Sequence, residues 1–285
     1  MKMKCAVACS FVTILAVFLV GGQLLGQGLP TSQPNMLQIF REEVKVGHEA
    51  DHSKTEAGWP AAFEKAKFPY FSLGLVALTG TSEAWFLVPY ESNQVMGDAL
   101  RRQSDDPVLS AELARLSRAD AEHITSVRSI LASARKDLTR GAFPDPGKQR
   151  FWEVTMFRVR PGHEEAFTAA AKAYGAAAGR SAPNTAYRVY EVVAGMPLPT
   201  YLVISSLGSY AEFDKMTADG EATMKGASPQ EQSVLQKFGA DAVISEETFR
   251  FRLDPEMSYV PNELKAQDPA FWTPKKPATK KTSQP

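Results

Sequence analysis

The chain has 285 residues, of which 44% are apolar, 10% aromatic and 22% charged. That is enough apolar mass for one large or two medium domains, and it excludes a collagen, an acidic disordered chain or a disulfide knot. Lysine plus arginine and aspartate plus glutamate each number 32, so there is no global basic field and no nucleic-acid partner is expected.

Residues 1–28 begin with Lys2 and Lys4, continue through an apolar stretch from Cys5 to Val20 and end in small residues at Gly21, Gly22, Gly26 and Gly28. This order predicts a secretory signal peptide over 1–28, with an uncleaved anchor as its rival. The body is then exported, periplasmic or extracellular, with no stable membrane insertion after cleavage. Both cysteines, Cys5 and Cys9, lie inside this segment, so disulfides and thiolate chemistry are excluded from the body. Its loss removes Lys2, Lys4 and no acid, leaving 30 basic residues against 32 acidic ones.

The first half, residues 36–140, starts with alternating apolar positions from Leu37 to Val46 that predict a strand ended by Gly47-His48. A helix follows from Glu49 to Lys65, with acids in its first turn. Two strands, Tyr70 to Leu78 and Ala84 to Val88, turn at Gly80-Thr81-Ser82. Asp106-Pro107 then caps a helix whose stripe of Leu109, Leu113, Leu116, Ile124, Val127, Leu131, Ala134 and Leu138 runs at three- and four-residue steps. Ser117-Arg118-Ala119-Asp120 resembles a capping box, so a break near 117 is expected, and no closing strand is predicted before Phe151.

The second half, residues 150–255, repeats this order at an offset of about 115 residues. Leu37 falls on Trp152, Ile39 on Val154, Val44 on Val159, Gly47-His48-Glu49 on Gly162-His163-Glu164 and Leu75 on Tyr190; Trp85 falls on Tyr201 after a one-residue slip. A helix from Glu164 to Ala178 and strands Thr185 to Val193 and Thr200 to Ser205 are predicted, then a helix capped at Ser228-Pro229-Gln230-Glu231 and a last strand Thr248 to Leu253. Residues 272–285 are Lys-, Pro- and Thr-rich without apolar periodicity, which predicts a disordered basic tail.

Strand, helix, strand, strand, helix, strand is the ferredoxin-like order, and one such unit leaves a sheet face uncovered. Two units in one chain can cover each other sheet face to sheet face. The string Val159-Arg160-Pro161-Gly162-His163-Glu164-Glu165-Ala166-Phe167, with its weaker copy at Val46 to His52, resembles the dimeric α/β-barrel superfamily, which includes NIPSNAP-like proteins and the antibiotic-biosynthesis and haem-degrading monooxygenases. The resemblance implies an α+β fold of two tandem ferredoxin-like units forming an intramolecular dimeric α/β barrel, monomeric because each half is the other's partner.

His48-Glu49-Ala50-Asp51-His52 matches the H-E-x-x-H zinc-protease string. The copy at His163 lacks a second histidine, position 55 is Thr and 58 is Gly, so His48 reads as a turn residue and no metal ligand is assigned. His52 replaces Phe167 of the other half on the helix face expected to meet the sheet. With Trp59 and Phe63 on the same face and Glu56 one turn on, it predicts a pocket for a small apolar or aromatic ligand, and His52→Phe should then keep or raise stability while removing binding. Arg158, Tyr187, Arg188 and Tyr190 read as outward-facing strand residues. No catalytic constellation is recognised, so the catalytic residues stay unassigned and a small-ligand-binding or accessory role without a cofactor leads. A cofactor-light or haem-modifying monooxygenase, with His52 touching haem, is the alternative that the resemblance implies, and a protein-interaction module is the second.

Overall fold

The computed structural model describes residues 29–273. The predicted signal peptide and the tail beyond Thr273 lie outside them. Trp272, placed in the tail by its composition, is 4% exposed and belongs to the core.

The first half runs β1 (Met36–Val44), α1 (Glu49–Glu56), α2 (Gly58–Lys65), β2 (Ser72–Ala77), β3 (Glu83–Tyr90), α3 (Asn93–Asp105), α4 (Pro107–Asp120) and β4 (Ile124–Ala134). The second runs β5 (Phe151–Val159), α5 (Glu164–Ser181), β6 (Arg188–Ala194), β7 (Thr200–Leu207), α6 (Glu212–Gly226), α7 (Pro229–Lys237) and β8 (Val243–Tyr259), followed by short α8 (Asn262–Gln267) and α9 (Pro269–Trp272). The eight strands close into one antiparallel barrel in the order β1-β3-β2-β8-β5-β7-β6-β4. Two seams, β2 with β8 and β4 with β6, join the halves. The fold is α+β, as expected.

The Gly-His turn is built alike in both halves. Gly47 and Gly162 both have φ of +87°, and the His48 and His163 amides donate to Lys45 and Arg160 carbonyls at 2.9 and 3.0 Å. The predicted helix over 49–65 breaks at Ala57, because Pro60 has no N–H for the Glu56 carbonyl. In the second half no proline intervenes, and α5 continues to Ser181.

Two expectations are corrected. Helix α4 starts as predicted, with Asp106 Oδ1 accepting the Val108 and Leu109 amides at 3.0 Å each, but it ends at Asp120. Residues 124–134 are the closing strand β4, not more helix, with Ile130 and Ala132 fully buried inside the barrel. In β3, register pairs Glu42 with Ala84 and Arg41 with Trp85, while β7 pairs Phe157 with Tyr201 and Met156 with Leu202. Ala84 therefore corresponds to Tyr201, and the slip between halves is one residue larger than the sequence suggests. A single residue exchanges the faces of a strand. Trp85 lies in the barrel interior and Tyr201 outside it.

The interior is filled by side chains such as Ile39, Leu75, Trp85, Leu202 and Phe251, as befits eight strands. Each half lays its helices on the outer face of the sheet, over separate apolar layers.

Candidate functional site

Helix α1 carries His52 and Glu56 one turn apart against the outer face of β1. His52 is 2% exposed, and its Nε2 lies 3.0 Å from Glu42 Oε2 and 3.6 Å from Asp120 Oδ1. Glu42 points outward from β1 and Asp120 is the last residue of α4. Glu42, His52, Glu56 and Asp120 each offer a ligand atom, and these atoms all lie within 4.8 Å of one another.

This quartet is electrostatically crowded. Burial, then the neighbouring Glu42 and Asp120 carboxylates, pushes Glu56 up to about 9. Burial and Glu42 raise Asp120 to about 6, against opposing pulls from His52 and His123. Asp120 Oδ1 is buried with no hydrogen-bond partner among the described residues. The Trp59 indole N–H is close enough to favour the Glu56 carboxylate slightly, yet it too is buried without a well-formed hydrogen bond.

The sequence pointed to His52 and Glu56 but not to Glu42 or Asp120. A signal existed for Glu42, whose counterpart in the other half is the apolar Phe157. Trp59 and Phe63 pack against the apolar layer of the first half. Phe63 stacks on Phe68 at 4.9 Å and meets Tyr259 at 5.5 Å, and Trp59 packs against it at 6.3 Å. The H-E-x-x-H string also disperses. His48 sits ahead of α1 with its Nδ1 3.2 Å from Nδ1 of His123, while Glu49 accepts from the Gly47 amide and the Ser82 hydroxyl.

In the second half the same place is apolar. Phe157, Phe167 and Phe238 meet at 5.8 to 6.1 Å, and Phe167 stacks on Tyr201 at 3.8 Å. Beyond this cluster opens a cavity of about 660 Å³ between α5, α6, α7 and the sheet. Phe157, Phe167, Tyr174, Tyr187, Met216 and Met224 supply its apolar wall, and Thr155, Thr185 and the Glu153–Arg250 ion pair its polar groups. The Thr185 hydroxyl is buried without a hydrogen-bond partner among the described residues. Burial raises the Tyr174 phenol and pushes Tyr187 up to about 12, so both stay protonated donors. Of the four strand residues expected to face outward, Tyr187 does so. Tyr190 fills the barrel interior, and the Arg188 guanidinium, on the same side of β6, donates to the Arg140, Gly141 and Ala142 carbonyls at 2.8, 2.9 and 2.6 Å.

No protein-family model matches the chain, and no curated protein matches it. Solved structures do. A candidate monooxygenase from Fusobacterium nucleatum superposes with a TM-score of 0.53 at 7% identity, covering 79% of this chain and 94% of that one. This chain has the dimeric α/β-barrel fold. More distant matches include a candidate monooxygenase from Lactobacillus acidophilus, with a TM-score of 0.49 at 9% identity over 79% of this chain and 95% of that one. Another is a chlorite dismutase mutant from Candidatus Nitrospira defluvii, with a TM-score of 0.47 at 12% identity over 83% and 96%. At these identities the likeness concerns fold alone.

Haem is the cofactor that the sequence resemblance implies, and the residues placed here fit it poorly. Among the described residues, no histidine lines the 660 Å³ cavity. A haem iron on His52 Nε2 would have to displace the carboxylates at 3.0 and 3.6 Å. The first-half quartet is instead an oxygen-rich donor set of the kind that suits a bare metal ion.

Proposed function

We propose that the chain is an exported small-ligand-binding protein, a tandem duplication in which the second half holds the ligand. The observation that carries this reading is the 660 Å³ cavity, a size within the usual range for small-molecule sites. Its wall of phenylalanine, tyrosine and methionine suits an apolar or aromatic body. The unpartnered Thr185 hydroxyl and the protonated Tyr187 phenol suit one hydroxyl or carbonyl on that body. Ligand burial would give Thr185 the partner it lacks, and a buried hydroxyl left unpaired costs about 1–3 kcal/mol.

This reading differs from the first-half pocket expected from the sequence. The helix-to-sheet space there is packed with Leu109, Leu113, Leu116 and Phe68, whereas the second half is left open. A monooxygenase-like activity on a bound aromatic would use the same cavity, and the neighbours' descriptions support it only as a class.

A titration with an apolar fluorescent probe such as 1-anilinonaphthalene-8-sulfonate tests the reading. A Cβ at Gly220 would lie 4.0 Å from the Tyr174 hydroxyl, so Gly220→Phe can send a ring into the cavity without a backbone clash. The expected outcome is saturable one-site binding that this variant reduces at least about tenfold, a loss of ~1.4 kcal/mol. Equal binding by both proteins would overturn the assignment.

A further inference from the structure

We infer that Glu42, His52, Glu56 and Asp120 form a binding site for one divalent first-row transition ion, of the Mn(II), Fe(II) or Zn(II) class. This goes beyond the ligand-binding reading and does not depend on it, because the quartet lies in the other half of the molecule.

Geometry is the first support. Such ions hold imidazole nitrogen and carboxylate oxygen at about 2.0–2.2 Å, which sets neighbouring donors roughly 3 to 4 Å apart. Here Glu42 Oε2 and Asp120 Oδ1 lie 3.0 and 3.6 Å from His52 Nε2, and no pair in the quartet exceeds 4.8 Å. Small side-chain rotations close the remaining difference.

The second support is independent of the clustering. Asp120 is 3% exposed, and its Oδ1, the atom that faces His52, has no hydrogen-bond partner among the described residues. A buried carboxylate oxygen without a donor is costly unless something of positive charge meets it. Within reach lie two more carboxylates and one imidazole. An ion at their centre would satisfy all four groups together.

The third support is the comparison between halves. The same slot behind β5 is filled by Phe157, Phe167, Ala171 and the nearby Phe238, and the sheet position under it is Tyr201, stacked on Phe167. In the first half that sheet position is Ala84. The fold thus tolerates an apolar plug here, and the quartet is not a requirement of barrel closure. Carboxylate-rich donors with one imidazole favour Mn(II), Fe(II) or Zn(II) over the soft Cu(I). Four protein donors on three elements, β1, α1 and α4, describe a closed site that pins the helical layer to the barrel.

The test uses the full chain, stripped with chelator and titrated calorimetrically with MnCl₂ and then ZnCl₂. One ion per chain is expected, with binding weakened on the order of 100-fold or more in Glu42→Gln and in Glu56→Gln, since loss of outer partners alone costs 10- to 100-fold at metal sites. Absence of saturable binding, or variants that bind the ion as tightly as the unmodified protein, would overturn the site. Should the variants fail to fold, anomalous diffraction from Mn(II)-soaked crystals of the unmodified protein decides it. A peak bounded by His52 Nε2 and the Glu42 and Asp120 oxygens supports the site, and a peak elsewhere or none overturns it.

Discussion

Glu56 is buried beside two other carboxylates, and its pKa of about 9 in the folded protein makes metal-free stability depend on pH. Its folded value is raised above the unfolded one, so the native state holds the extra proton between about 4.5 and about 9. That contribution is complete below the lower value and is lost as pH rises through the upper one. Asp120, raised to about 6, acts in the same direction over a lower window. Thermal melts of metal-free protein should therefore fall from pH 5 to pH 9, and Glu56→Gln should flatten the slope above pH 6. Loading with Mn(II) should reverse the slope, because the ion competes with protons for the same oxygens. His52→Phe is now expected to destabilise by about 2–4 kcal/mol in a denaturant melt, because it strands the Glu42 and Asp120 carboxylates in a buried site. The sequence comparison of halves suggested the opposite, a neutral or stabilising change. It saw His52 against Phe167 but not the two acids brought to it from β1 and α4, residues ten and sixty-eight positions away that share no local pattern with α1.

At the scale of elements, the two seams decide whether the barrel closes. Gly195, in the turn after β6, has φ of +90°, and a Cβ there would sit 2.0 Å from the Ser129 carbonyl oxygen of β4. Gly74 of β2 would place a Cβ 2.8 Å from the Met257 carbonyl oxygen of β8. Gly195→Ala should cost about 3 kcal/mol, combining the left-handed strain with backbone collision, and equilibrium unfolding in urea measures it. Strand β4 was hidden from sequence because Ile124, Val127, Leu131 and Ala134 fit helical spacing while its inward set, Ile130, Ala132 and Ala134, spans too few residues to announce a period of two. The helix–strand–strand order of each half was legible because Gly47 and Gly162, each with φ of +87°, punctuate it at the same point.

For the whole molecule, each half leaves two strands with one edge unpaired until the other arrives. Cutting near Gly141 exposes the edges of β2 and β4 on one fragment and of β6 and β8 on the other. Long unpaired edges template further pairing. The fragments should aggregate or recombine into the barrel, and size-exclusion chromatography showing two stable, separate monomers would contradict this. The α+β barrel itself could be read from the sequence through the order of strands and helices. The position of the cavity could not, because it is set by packing of α5, α6 and α7 over the sheet, and no local motif encodes empty space. Native mass spectrometry of protein taken from its own cellular compartment tests the central claim most directly. The account predicts a small organic adduct on the wild type that Gly220→Phe loses and Glu42→Gln retains. An adduct that survives Gly220→Phe, or that disappears with Glu42→Gln alone, would contradict a ligand seated in the second half.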